Sequence, residues 1–403
     1  MSSWKKLFHE YRYVLGIGFL FAYFSSFGQT FLISLYIPSI EELLGLSNAG
    51  MGSLYAGATV ASALTLPYMG SRFDSMSLGK YMAMILGGLL IALLSLSISS
   101  NIVFVGISLY LMRLFGQGLM SHTAVSTMTR YFEKDRGKAI GIATTGHPFG
   151  EATLPVLITL CIGWLGWRGS LQLNTLFVLL IIMPLVYFLY QKKKKQEVKT
   201  NSVISVEPSG IKNWDILKHK AFLIIAPAVF TLGFTNTAIF FFQLKLGAAK
   251  GWSAAWVSSS LAAFAGASAL GMFLAGPWVD KLSAKKLFPF ILIPYLIGVL
   301  SLLITDAPFI YPVALAFMGF ANGSGSTVKN ALFAEIFGVG IIGKVRSLFV
   351  TVMVLSTALG PLFFGVLVDS GYTFDQVFLR NAIGIFVVIL ISFRIRKVKK
   401  DRE

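Results

Sequence analysis

Apolar windows of about 20 residues recur from one end of this chain to the other, and that is the length that crosses a bilayer. Twelve such windows fall at 13–36, 49–69, 81–99, 102–124, 139–160, 170–190, 221–243, 253–275, 287–305, 309–333, 347–367 and 375–393. Inside hydrocarbon every backbone N–H and C=O must be bonded within the protein, so only helices or a closed barrel can span it. Windows of this length suit helices, because membrane strands are about half as long. The expected fold class is an all-α membrane protein with twelve transmembrane helices. Composition agrees: 13% charged residues is well below the roughly 25% of soluble domains. The first window is too long for a signal-peptide core and lacks a small-residue cleavage site, so it is expected to remain as a span. The single cysteine, Cys161, excludes an internal disulfide and reads as a packing residue.

A net charge of +17 suggests nucleic acid until the charges are placed. Counting ends and loops alternately from an inside N-terminus, the inside segments hold 28 of the 34 Lys and Arg residues. Arg168, Lys245, Lys250 and Arg380 fall outside, and Arg113 and Lys329 lie deeper within windows. This asymmetry is the positive-inside pattern. It implies a multi-pass protein of the cytoplasmic (inner) membrane with both termini cytoplasmic. The positive charge is then a topology device toward the lipid bilayer, and no nucleic-acid partner is expected.

The second half repeats the first at a constant offset of 206. Gly70 matches Gly276, Asp74 matches Asp280, Met112 matches Met318, Lys138 matches Lys344 and Pro155 matches Pro361. Two six-helix bundles of one orientation are expected, related by a pseudo-two-fold axis along the membrane normal, with a solute site at mid-depth. The expected division is an N-terminal bundle at 1–190, a basic cytoplasmic linker at 191–217 and a C-terminal bundle at 218–403.

Ionisable residues at membrane depth cost about 2.5–3.5 kcal/mol on insertion scales, so they mark a solute or proton route. Arg113 lies in the fourth window, with Gln117 one turn along on the same face. A guanidinium is permanently charged and shaped for carboxylate or phosphate. Arg113 reads either as an anion anchor or as half of a buried ion pair with Glu151. His147 and Glu151 are four residues apart on one helix face. Imidazole titrates near neutrality, so the two suit proton coupling; alternatively His147 bonds a backbone carbonyl. Gly141, Gly146 and Gly150 read as close-packing residues. Gln29 in the first window, Asn236 in the seventh and Asn322 in the tenth are further candidate solute contacts. His122 is a weaker candidate, and Lys329 lies where it could snorkel towards the inner surface.

The chain resembles the major facilitator superfamily over essentially its whole length. The loops Gly70, Asp74, Gly79, Lys80 and Gly276, Asp280, Lys281, Lys286 are similar to that family's Gly-x-x-x-Asp signature. The resemblance implies that Gly70, Asp74, Gly276 and Asp280 form gating loops. The run Tyr131-Phe132, Arg136, Ala139, Gly141, Ala143, Gly146, Pro148, Gly150 looks like the fifth-span signature of the monocarboxylate and oxalate–formate transporter branch. Span 8 lacks the acidic and basic residues usual in that branch.

Together these readings imply a secondary active transporter of a small-molecule solute, an organic anion such as a monocarboxylate moved with protons. Drug or metabolite efflux by proton antiport is the alternative within transport. A non-transporting solute receptor or membrane anchor is the alternative outside it. No enzyme is expected: there is no Gly-x-x-x-x-Gly-Lys-Ser/Thr loop and no metal-ligand cluster. No cofactor is expected, and a monomer is.

Overall fold

The computed structural model describes residues 3–132, 135–195, 213–338 and 341–398, and every regular element among them is a helix. Eight helices among the described residues are long and apolar enough to cross a membrane. One of them, Arg136–Lys193, runs for 58 residues. At 1.5 Å per residue it is about 87 Å long, enough to cross a ~30 Å hydrocarbon core twice. Gly166 divides it with a left-handed φ of 70°, a conformation that glycine adopts without steric cost. Its most apolar window has mean hydropathy 2.2, yet only 22% of that window is buried inside the protein. Such an outward apolar surface needs hydrocarbon around it, and the chain is a multi-pass membrane protein.

Helix ends follow local chemistry. Asn101 starts the Ile102–Leu111 helix by accepting from the amides of Val103 and Phe104. Thr373 and Gln376 form a reciprocal capping box ahead of Phe374–Ser392. Pro67, Pro155, Pro227, Pro277 and Pro361 all lie inside long helices. Neighbouring helices and side chains make that tolerable in membranes. The first helix, Ser3–Phe24, bends at Tyr11.

The chain divides into two compact units, Met1–Gly45 with Gly57–Ser205, and Leu46–Ala56 with Val206–Glu403. The expected 1–190 bundle would include Leu46–Ala56, which by its contacts goes with the second unit. The expected linker at 191–217 lies largely outside the described residues, at 196–212; a short helix at Asn213–Lys218 follows it.

In the first unit, Ser3–Phe24 packs on Ser121–Tyr131, Arg136–Thr144, Gly146–Phe177 and Met183–Lys195. In the second, Lys220–Ala249 packs on Ile342–Asp369, and Ala254–Leu282 packs along Ile310–Phe337. Small residues allow these approaches. A Cβ at Gly323 would overlap the Ser268 carbonyl, and one at Gly360 the Phe234 carbonyl. The second unit also holds the start of the Asn48–Ser75 helix. Asp369 accepts the Asn48 and Ala49 amides at 3.1 and 2.7 Å, serving as a carboxylate cap from another helix.

Candidate functional site

The first apolar window is not one helix. After Phe24 it tightens into a 3-10 turn at Ser25–Gly28, and Gln29 is extended at φ −82°, ψ 150°. The Ser25 and Ser26 hydroxyls donate back to the Ala22 and Tyr23 carbonyls at 2.7 Å each. That is a standard way for serine to compete with the helix ladder. The break leaves the Gly28 carbonyl outside the regular helix.

Two other elements close on this break. The fourth span carries a π-helical stretch, Met112–Met120, directly after Ile102–Leu111. Such wide turns are concentrated at functional sites. A Cβ at Gly28 would overlap the Gln117 amide and the Met112 carbonyl, and one at Gly116 would stand 2.6 Å from the Gly28 amide. Backbone thus meets backbone, and only glycine fits. Arg113, on the π stretch and 4% exposed, donates through Nη1 to the Gly28 carbonyl at 3.2 Å. A hydrogen bond from a charged group contributes about 1.5–3 kcal/mol, comparable with the insertion cost of an arginine. The break thus gives Arg113 one charge-assisted partner.

The Gly146–Phe177 helix packs on the other side. Cβ atoms at Gly146 and Gly150 would run into the backbone of Phe19 and Tyr23 and the Ser26 hydroxyl. Gly141 is different: nothing lies within 4 Å of a Cβ there, so the close-packing expectation fails for it. The pair of tight glycines sets His147 against the break, with Nδ1 3.1 Å from Ser25 Oγ. The one Ser25 proton is committed to the Ala22 carbonyl, so His147 Nδ1–H is the donor. In the neutral ring this makes Nε2 the proton acceptor. The expected bond from His147 to a backbone carbonyl is replaced by this side-chain contact.

Glu151, one turn on, has no hydrogen-bond or ion-pair partner among the described residues. The ion pair with Arg113 that the sequence allowed is not formed. Gln29 and Gln117 are half-buried and also without side-chain partners there. The first unit thus brings Arg113, Gln117, Gln29 and His147 to one helix break, and Glu151 lies one turn past His147 on the helix that packs there. Asn236 and Asn322 belong to the second unit. Asn236 accepts from the Tyr295 hydroxyl at 2.7 Å, and Asn322 reaches Ser268 Oγ at 3.5 Å. Sequence reasoning did not single out Tyr295 or Ser25 as partners.

A family model described as Major Facilitator Superfamily matches residues 19–266 and 225–403. The chain belongs to the Major Facilitator Superfamily. Similar curated relatives include the MFS transporter asaE of Aspergillus flavus, 22% identical, covering 94% of this chain and 82% of the relative. Monocarboxylate transporter 2 of Mesocricetus auratus is 23% identical, covering 96% and 85%. Among solved structures, a bacterial homolog of the human lysosomal transporter Spinster, inward-facing and unoccupied, aligns with TM-score 0.73 at 15% identity, covering 96% and 97%. The nucleoside transporter NupG aligns with TM-score 0.74 at 12% identity, covering 95% and 98%. Within the superfamily, the similarity leans towards monocarboxylate transporters.

The superfamily's signature loops differ between the halves. Asp74 meets Arg130 at 3.1 Å; Arg130 also donates to the Phe73 carbonyl at 2.8 Å and lies 3.9 Å over the Phe73 ring. A Cβ at Gly70 would touch the His122 ring in ordinary contact. Asp280 is exposed with no partner among the described residues, and Gly276 faces open space. In the second half Glu335 does the docking, accepting the Ala284 and Lys285 amides at 2.7 and 3.1 Å.

Proposed function

We propose that this chain is a proton-coupled transporter of a small organic anion, such as a monocarboxylate, working by alternating access. Twelve crossings in two six-helix bundles, divided near 1–190, 191–217 and 218–403, would carry it in the inner membrane with both termini cytoplasmic. Loops at Gly70, Asp74 and Gly276, Asp280 would gate it, and a monomer suffices. The single observation that supports this reading most is Arg113, buried at the break of the first span. Gln29 and Gln117 stand beside the same break, where amides can bond a solute's other oxygens, and Asn236 and Asn322 are proposed as solute contacts of the second unit.

The coupling follows from charge. Arg113 is always positive, and Glu151, on the helix that packs against the same break, is negative or neutral. A carboxylate arriving at Arg113 adds a second negative charge to this unit. At low dielectric that repulsion is large, so anion binding favours protonated Glu151. Empty and loaded forms then carry the same net charge, and one proton travels with each anion. In this proposal His147, through Nε2, hands the proton over. The relatives named above are transporters, and nothing in the site asks for catalysis.

Reconstituted vesicles test this reading. With lactate as probe, acid outside should drive accumulation, and an imposed membrane potential alone should not. Glu151→Gln should keep lactate exchange and lose acid-driven accumulation. Accumulation driven by voltage at equal pH would contradict the charge argument.

A further inference from the structure

One helix of this chain belongs to both units. Asn48–Ser75 is unbroken, yet its start, as far as Ala56, goes with the second unit, and the rest, from Gly57, with the first. Its later turns are tied to first-unit neighbours. Thr65 Oγ1 accepts from the Tyr110 hydroxyl at 3.1 Å, and the Met69 carbonyl accepts from the Tyr81 hydroxyl at 3.3 Å. Its start is held in another way. The first amides of a helix have no partner within it. Ser47, from the same segment, accepts the Gly50 amide at 3.1 Å. The Asn48 and Ala49 amides go instead to Asp369, the last residue of Ile342–Asp369. The Asn48 side chain then joins two helices of the second unit: its Nδ2 donates to Asp369 Oδ1 at 2.7 Å, and its Oδ1 accepts from Lys245 Nζ.

Beside this polar clasp the backbones touch. A Cβ at Gly52 would stand 2.8 Å from the Pro361 carbonyl, and one at Gly365 would stand 2.6 Å from the Asn48 carbonyl. Tyr55, fully buried, has its ring 5.2 Å from that of Phe241. The fit is specific, but the carboxylate that fastens it is exposed. Water can therefore replace Asp369 on the freed amides, so the net cost of opening is small beside that of breaking a buried bond. A fastening that is exact in geometry and open to water is reversible.

We propose that Asp369 is a latch of the transport cycle: it holds the start of the Asn48–Ser75 helix on the second unit while the outer end is shut, and releases it when that end opens. The proposal rests on the reading of the chain as an alternating-access carrier with both termini cytoplasmic, which puts Asn48 and Asp369 at the outer ends of their helices. An unbroken helix bound to the first unit from Gly57 onward carries its own start with it. The outer end opens only when the Asp369, Lys245 and glycine contacts part.

Two measurements test the latch, both in a Cys161→Ser background that leaves no native thiol. The first needs no solute. Met51, fully buried just past the clasp, is replaced by cysteine, and its labelling by a membrane-impermeant maleimide outside intact cells reports opening. Adding Asp369→Asn, which keeps one acceptor oxygen and loses the charge, should speed labelling about tenfold, the scale of one charge-assisted bond lost from the closed form. Its melting midpoint in detergent should stay close to that of the Asp369 protein. An unchanged labelling rate overturns the latch. Faster labelling with a much lower midpoint makes Asp369 a structural support and overturns it too. In the second measurement Asn48→Cys/Asp369→Cys is bridged by a short bis-methanethiosulfonate. Bridging should abolish most lactate exchange in vesicles, and reductant should restore it. A bridged protein that exchanges lactate at its reduced rate keeps the pair joined throughout the cycle, which overturns the latch and leaves the carrier reading intact. A parent that exchanges no lactate contradicts the proposed solute, and the latch then stands or falls by the labelling rates.

Discussion

Ser25 and His147 lie 122 residues apart in the chain and 3.1 Å apart in space. Because the serine proton goes to the Ala22 carbonyl, this contact assigns the donor nitrogen of the imidazole. Asn and Gln test it separately, since Asn places an amide N–H near the Nδ1 position and Gln near Nε2. His147→Asn should keep the Ser25 bond and melt near the parent. His147→Gln should lose that bond, at a cost of about 1 kcal/mol. If Nε2 carries the proton, both variants should lose acid-driven lactate accumulation. Retained accumulation in His147→Asn would remove the histidine from the relay.

Two glycines make opposite predictions. Gly28→Ala forces a methyl group into the Gln117 amide and Met112 carbonyl. Neither atom can step aside without moving its helix, so overpacking should cost about 1–3 kcal/mol or more. Gly141→Ala meets nothing within 4 Å inside the Arg136–Thr144 helix. There alanine should stabilise by about 0.5–1 kcal/mol through helix propensity. Detergent melting curves of the two variants against the parent check both signs.

Outside the spans, Lys250 contacts Asp306 and lies 3.0 Å from Asp375. Burial pulls its ammonium down, but the hydrogen bonds and charges of Asp306 and Asp375 outweigh this and hold its pKa above the ordinary 10.5. A raised folded pKa gives stability that is complete below the unfolded value and lost as pH rises through the folded one. The partners are 71% and 54% exposed, so solvent screening limits the network to about 1 kcal/mol or less. The parent should therefore melt slightly higher than Asp306→Asn/Asp375→Asn from neutral pH to about 10, and the gap should close in stronger alkali and in high salt. A gap that widens with alkali would reverse the assignment.

Much of this was legible before any coordinates. Arg113, His147 and Glu151 stand out because they interrupt apolar windows, and the spacing of four puts the last two on one face. Their partners were not legible. Nothing in Ser25-Ser26-Phe27-Gly28 announces a helix break, since no proline stands there and each residue is tolerated in a membrane helix. The π stretch at Met112–Met120 is equally silent, because it depends on how backbone meets Gly28 from another span. Gly141 was grouped with Gly146 and Gly150 by spacing alone, and spacing cannot tell a packed glycine from an open one. The offset of 206 suggested equal roles for Asp74 and Asp280. The second half instead docks its loop through Glu335, which matches Thr129 in the first and so escapes any search for repeated acids.

The most direct measurement is acid-driven uptake of labelled lactate by Arg113→Gln in reconstituted vesicles, with insertion verified by detergent melting. If Arg113 is the anion anchor proposed above, the variant should fold and insert but show less than about a hundredth of parental uptake, the scale expected when about 3 kcal/mol of charge-assisted binding is lost. Uptake at the parental rate would contradict the account.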